Sequence, residues 1–586
     1  LRKLGVRIPV NPTKFDYLKE LLVYKFFMLG RKIETLEHLP EMTKPEKIKT
    51  ADLLSRLSSV TMSTIPDLYS FVILKTGNHA LRHGNSEMTC VGYAGYGITE
   101  GCVLGNYRNG EKYARISLNL VEKYGKSSSK CIVYFVVGSL ICHWTQPSEI
   151  GLMYLKKAVQ AGMEAGDLLI IGYSHCLLLE NRYIMGVKLP EIMNEIRKKR
   201  EVAERIKHEN LSVNVEIYEN IVNALMGLND EHVSELAPQL DNEYLAECVK
   251  KDKSSLATWH IRKMQLYYLS GDYRNALAEA EAIRRLMGAI FGFLLESEYI
   301  FYYAISITAV FNKLSPEERK YYRKILRRNY GKLRKWAESC PENFEDWYLI
   351  VSAEITRINN KREKSMHLYE KAIQSARKNR HINNEAIANE LTAKFYLSLN
   401  LKKIARTYMN DACNCYRLWG AYAKIMMLKD KYPELTEDVV VFGEFKADDR
   451  AVPEGIRNIE RETGESSDSD NNSAEINYID KIVENIYSES DINQLLVKFI
   501  DAAIRTIGAT KGYFILEING ELYIESGKDN NRGKTVAEST PLEEYPDISK
   551  TVVRYVARTL ETVVLNCEKL PGIFAVDTYI AESNPK

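Results

Sequence analysis

The sequence predicts a mainly α chain: a long array of stacked helix pairs, then a small, partial α+β module. Three observations predict it. Residues 1–435 carry apolar residues at helical spacing and very little strand signal. Within that stretch, small residues recur where a second helix must cross a first, with further packing residues four and seven positions later. At 436 the pattern stops in a polar, acidic stretch, and strand-like alternation appears only after 510.

The elements follow in order. Residues 1–75 read as a helical segment and 76–240 as degenerate helical repeats. Here Gly105-Asn-Tyr107 and Gly110 form a turn ahead of Ala114. Residues 241–435 hold the clearest repeats. A helix ends near Gly271-Asp-Tyr273 and the next begins with small Ala276. The same register recurs at Ser365, Tyr369 and Ala372, and again at Ala405, Met409 and Ala412. Proline is sparse and falls where helices should begin or end: Pro66, Pro147, Pro190, Pro341 and Pro433.

Residues 436–477 read as a flexible acidic linker. From Glu462 to Glu475 no side chain is both larger and more apolar than Ala, too little to bury a core. In 478–586, Tyr478–Ile507 reads as one or two helices broken near Ser488–Ser490. Tyr513–Ile518 and Glu521–Ser526 read as strands of a hairpin turned at Asn519-Gly520. Ser549–Thr559 reads as a helix and Glu561–Leu565 as a third strand.

Composition excludes several classes. With 80 Lys and Arg against 78 Asp and Glu, the net charge of +2 gives no general reason for a nucleic-acid partner. Neither Cys131–Cys142 nor Tyr299–Phe311 approaches the roughly 20 apolar residues that cross a bilayer. The start has neither Met nor a signal-peptide core, so a soluble cytoplasmic chain is expected. The ten scattered cysteines read as reduced small hydrophobes. The 37 tyrosines, against 16 phenylalanines, suit helical repeats that pack the ring and let the hydroxyl reach water.

No catalytic, cofactor-binding or metal-ligating residue is assigned. Gly527 through Gly533-Lys-Thr535 has one residue too many for a phosphate loop and no helix after it, so it reads as a surface loop. Gly92, Gly95, Gly97, Gly101 and Gly105 lack dinucleotide spacing; Gly97, Gly101 and Gly105, four apart, read as a close helix-packing face. His79 and His83 have metalloprotease spacing without the Glu that would act as base. Cys413 and Cys415 are too close for a zinc pair. His143-Trp144 reads as a helix end in a packed core. Lys320–Lys335 is strongly basic and reads as a solvated helix face open to the acidic linker, the alternative being a surface for an acidic partner or nucleic acid.

The repeat stretches resemble tetratricopeptide repeats, with spacing in places beyond the usual 34 residues. A wider resemblance rests on Leu81-Arg-His-Gly-Asn85-Ser86, Gly92-Tyr93 through Gly97, Gly105-Asn-Tyr107, His143-Trp144 and Glu164-Ala-Gly166-Asp167. It continues at Cys340-Pro-Glu-Asn-Phe344, Ala353-Glu354, Asn384-Glu-Ala386, Phe395-Tyr396 and Trp419-Gly-Ala421. These resemble the helical region of multidomain hybrid sensor kinases, which join a serine/threonine-kinase-like module, a predicted ATPase, helical repeats, a GAF domain and a histidine kinase. Leu495 through Gly508-Ala-Thr-Lys-Gly512-Tyr513, Ser549 to Arg558-Thr559 and Phe574–Tyr579 resemble the first two-thirds of that GAF domain.

The resemblance implies a non-catalytic middle part of a larger signalling protein, cut at both ends, whose parent is a protein kinase. Residues 1–75 would follow an ATPase module outside this sequence, and ATP would serve only such flanking modules. The implied partners are the flanking kinase and ATPase domains, proteins bound by a concave face of the repeats, an unidentified small GAF ligand, and a second copy in the full-length protein. Nucleic acid and membrane are not implied. The competing readings are a helical-repeat arm of an ATP-dependent transcriptional regulator and a stand-alone scaffold.

Overall fold

The computed structural model describes residues 1–9, 11–64, 66–124, 126–228 and 243–437, and towards the C-terminus 500, 504, 509–518, 521–529, 534–536, 539–559, 577 and 579. The chain divides into compact units of residues 1–444 and 445–586.

The first unit is helical. It opens with α1 (Lys14–Met28), α2 (Pro45–Thr64), α3 (Pro66–His83), α4 (Thr89–Ile98) and α5 (Tyr107–Tyr124). Then come α6 (Ser127–Val136), α7 (Ser148–Ala165), α8 (Leu168–Ile184), α9 (Leu189–Ile206) and α10 (Glu209–Met226). Helices α11 (Glu243–Val249), α12 (Lys253–Ser270), α13 (Tyr273–Ile283), α14 (Met287–Ile290) and α15 (Leu294–Val310) lead into the last six. These are α16 (Pro316–Ser339), α17 (Pro341–Ile358), α18 (Arg362–Lys378), α19 (Ile382–Ser398), α20 (Lys402–Trp419) and α21 (Tyr422–Lys431). Pro66, Pro190 and Pro341 sit in the first turn of α3, α9 and α17, where the missing N–H has no intrahelical partner to lose. At the expected turn, Gly271 caps α12 in the left-handed conformation and the Asp272 carboxylate accepts from the Asn275 N–H to start α13.

The repeat is longer than 34 residues. The left-handed turn residues Asn360, Arg380, Asn400 and Gly420 fall every 20 positions, so each helix pair occupies 40. The N-terminal part keeps a closely similar period. A Cβ on Gly110 would lie 2.9 Å from the Gly97 carbonyl, and one on Gly151 would lie 2.7 Å from the Gly138 carbonyl. Gly138 and Gly151 follow Gly97 and Gly110 by 41 residues, as Tyr134 and Tyr154 follow Tyr93 and Tyr113. In both pairs the first helix runs into a π-helical turn, Thr99–Val103 and Val137–Ile141.

Helix α15 is buried on all sides, every residue but Ala309 being inaccessible, and packs against α8, α12, α13, α16 and α17. The last helices return to the middle ones: Tyr183 packs on Trp419, Gly420 on Leu189 and Pro190, and Asn383 donates to the Ile184 carbonyl. A second joint centres on Trp144, which stacks on Tyr107, Trp336 and Phe344 with ring centroids 5.4, 5.0 and 5.6 Å apart. Beside it the Asn343 side chain donates to the His143 and Gln146 carbonyls, both at 2.8 Å, and accepts from the Ser148 N–H at 2.9 Å.

In the second unit, β1 (Lys511–Ile518), β2 (Glu521–Asp529) and β3 (Lys534–Val536) form an antiparallel sheet, with β4 (Thr540–Pro541) also on β2. Ile518 pairs with Glu521, and the turn expected at Asn519-Gly520 lies outside the described residues. Ile524, Leu542 and Tyr545 form its core, and α22 (Lys550–Thr559) carries Val553 against it. The linker expected at 436–477 lies almost wholly outside the described residues, as do most of the helices expected at 478–507 and the strand at 561–565.

Replacing Asn343 by Ala strands one buried carbonyl, one part-buried carbonyl and one buried N–H. Urea unfolding at pH 7.5 is expected to show a loss of roughly 2–4 kcal/mol. The exposed control Lys371→Ala should change stability by less than about 0.5 kcal/mol. Equal effects of the two changes would mean that this joint does not hold the array closed.

Candidate functional site

The polar interior of the first unit holds structure together. Arg262, fully buried on α12, forms a bidentate ion pair with Glu298 of α15 and donates to Gln265 at 2.8 Å. Its guanidinium lies over the Tyr183 ring, 4.8 Å from the centroid, and over Tyr218 at 5.4 Å. Glu180 completes the cluster without a cation of its own. Burial raises its carboxyl, Arg262 draws it back and Glu298 pushes it up again, leaving it at about 7. At the Trp144 joint, Asp346 accepts from Asn384 at 2.8 Å and meets His381 at 3.0 Å. Burial opposes charge on His381, but Asp346 and Glu149 more than reverse this and hold the imidazole above its usual value. Both clusters are enclosed and have packing partners on every side, so they read as structural.

The residues singled out from sequence are separated in the fold. Gly97 and Gly101 do face another helix closely, at Gly110. Gly105 does not: it is a left-handed turn residue with open space around it, because the helix ends in the π turn before reaching it. Gly92 and Gly95, outside the expected packing face, are close-packed against Gly77 and Ile73. His79 hydrogen-bonds the Lys47 carbonyl at 2.9 Å and packs on His83, tying α3 to α2. Burial pushes the thiols of Cys413 and Cys415 up to about 12, so both stay protonated at neutral pH. Gly527-Lys-Asp529 belongs to β2 and Lys534-Thr535 to β3, so the surface loop is shorter than expected. Among the described residues, no group of three or more His, Cys, Asp or Glu could hold a metal ion. Nor is any described helix long and apolar enough to cross a membrane.

With α15 filling the centre, candidate contact surfaces lie outside. Helix α16 begins with a capping box between Ser315 and Glu318 and buries Ile325, Leu326, Leu333 and Trp336. Its other face exposes Arg319, Lys320, Arg323, Lys324, Arg327 and Arg328. Arg319 donates to the Asn312 carbonyl and Arg323 lies over the Phe311 ring. None of the six forms an ion pair with a carboxylate among the described residues, whereas Lys332 and Arg334 on the same helix pair with Glu296 and Glu338. A shallow groove of about 430 Å³ runs along this face. A second unusual surface is α1, where Phe15, Leu18, Leu22, Phe26 and Leu29 are all exposed along one side.

Two comparisons with known proteins add to this picture. Residues 280–435, which include all of α16, match the family described as CHK1-like, TPR repeats. A stretch of 51 residues, 9% of the chain, is 35% identical to Hybrid signal transduction histidine kinase G of Dictyostelium discoideum. That stretch spans about 2% of the relative's length. Tetratricopeptide-type repeats are therefore present, and such repeats are protein-interaction elements.

The Glu180 cluster makes a pH-dependent expectation. Because the folded-state value, about 7, exceeds the ordinary 4.5, the folded protein holds this proton more tightly. The stability the group contributes is complete below about 4.5 and is lost as pH rises through about 7. Glu180→Gln stays neutral throughout, so it should gain on the native protein between pH 5 and pH 8, by about 1.4 kcal/mol per unit of pKa displacement. Denaturation at both pH values checks this, and a constant difference would contradict it.

Proposed function

We propose that this chain is the non-catalytic interaction and sensory region of a larger cytoplasmic signal-transduction protein with a histidine-kinase output. The observation that carries the reading is the α16 face: six exposed cations that pair with no carboxylate among the described residues, inside the stretch that matches tetratricopeptide-type repeats. Unpaired cations along one helix attract a complementary acidic surface and speed its arrival. The reading therefore assigns to α16 an acidic segment of a partner protein. The partial match to a hybrid histidine kinase supports the signalling context.

In this reading residues 478–586 are the N-terminal part of a GAF-like sensor module that takes an unidentified small ligand, and strain from either binding event passes to the kinase. The flanking kinase and ATPase modules supply all ATP chemistry, the chain itself catalyses nothing, and the full-length protein works as a homodimer.

The test uses the full-length protein that contains this chain. Reversing Lys320, Lys324, Arg327 and Arg328 to Glu should leave the melting temperature and helical circular dichroism within error. It should lower affinity for an acidic probe peptide at least tenfold at 0.15 M salt and change partner-dependent autophosphorylation. Deleting residues 478–586 should also change autophosphorylation. Unaltered phosphorylation in both variants would overturn the relay.

A further inference from the structure

A buried and a partly buried lysine share one carboxylate where α12, α19 and α21 meet. Lys394 of α19 donates to Glu390 at 2.6 Å and to the Tyr273 hydroxyl at 3.2 Å. Lys424 of α21 donates to the same Glu390 oxygen at 2.9 Å and to the Leu269 carbonyl at 2.6 Å. The other Glu390 oxygen accepts from Tyr416 at 2.7 Å. Glu390 is thus fully engaged, while each ammonium, with three N–H groups, keeps one donor unassigned by these bonds.

The charge balance is unequal. The Lys424 and Glu390 side chains are only 5% and 7% exposed, and Lys394 is 24% exposed. Lysines are rarely buried unless paired one to one, because an uncompensated charge away from water costs several kcal/mol. Burial alone would raise the Glu390 carboxyl, but the two ammoniums hold it at about 2. Burial pushes Lys424 below its ordinary value.

These groups line a cavity of about 280 Å³, together with Gly271, Lys431 and Tyr432. The Lys431 ammonium lies 3.1 Å from where a Cβ on Gly271 would be, at the mouth of the cavity. Three ammoniums therefore surround a space holding one buried carboxylate, with the exposed Asp430 at the rim. The volume lies at the small end for ligand pockets, near 300 Å³.

We infer that this cavity is an anion site for a phosphate monoester, held by Lys394, Lys424 and Lys431 and excluded from the deepest corner by Glu390. A monoester carries a charge of about −1.5 to −2 at pH 7 and three acceptor oxygens, which suits spare N–H donors better than a single carboxylate does. Its source is either a free phosphorylated metabolite or a phosphorylated side chain of a partner, and the two share this chemistry. The site is independent of the α16 surface, so either assignment can fail alone.

Calorimetric titration of the full chain with inorganic phosphate tests it, with sodium chloride at matched ionic strength as the blank. Phosphate should bind and raise the melting temperature beyond chloride. Lys431→Glu, at an exposed side chain, should lower phosphate affinity at least tenfold without changing the melting temperature in its absence. Lys424→Met should abolish binding; should it fail to fold, the Lys431 variant still decides. Tighter binding of a phosphoserine peptide than of inorganic phosphate would identify a partner's side chain as the source, and the reverse a metabolite. Phosphate behaving as chloride does, undiminished binding by Lys431→Glu, or tighter binding of succinate would overturn the assignment.

Discussion

Helix α15 has no solvent face, and that constraint organises the first unit. A helix apolar on one stripe needs one neighbour, but a helix buried all round must be enclosed. Its run Tyr299-Ile-Phe-Tyr-Tyr-Ala-Ile305 supplies large side chains in every direction, so α8, α12, α13, α16 and α17 pack around it. Two consequences follow. Polar groups on α15 must find partners inside, as Glu298 does in Arg262 and Glu296 does in Lys332 and the Gly292 N–H. The array must also close, which the Trp144 stack and the Trp419–Tyr183 contact accomplish across some 200 residues of sequence.

Much of the helix pattern was legible because local chemistry states it. Gly271-Asp272 is a helix stop followed by a helix start, and Ser365, Tyr369 and Ala372 are all fully buried on α18, as their spacing requires. The length of the repeat is harder to read, since it departs from the 34-residue period usual for such repeats. Comparing the sequence with itself at an offset of 41 would have aligned Tyr93, Gly97, Gly110 and Tyr113 with Tyr134, Gly138, Gly151 and Tyr154. Gly105 misled for a different reason. Four-residue spacing assumes an unbroken α-helix, and the π turn at Thr99–Val103 ends that register before Gly105. The same turn places Glu100 inside, accepting from Tyr24, Lys25, Asn106 and Asn109.

The apolar run Tyr299–Phe311 stood out in sequence only as a segment too short for a membrane. Nothing local distinguishes a core helix from other short apolar runs; its role as the axis is a property of the whole array. Partner contacts fall to the exposed faces of the helices around it.

There the sequence was only half informative. The basic run on α16 is visible in the chain, but a run of cations does not reveal which have partners. Lys332 and Arg334 meet Glu296 and Glu338, while Lys320, Lys324, Arg327 and Arg328 form no ion pair with a described carboxylate. A net charge of +2 over 586 residues hides this segregation. The Lys394–Glu390–Lys424 triad was less visible still. Glu390 and Lys394 look like an ordinary exposed helix pair four residues apart. Only the return of α21 onto α12 and α19 buries them and adds a second ammonium. Total charge therefore says little about binding in a closed helical array; the positions at which cations outnumber carboxylates after folding are what an anionic partner or ligand can read.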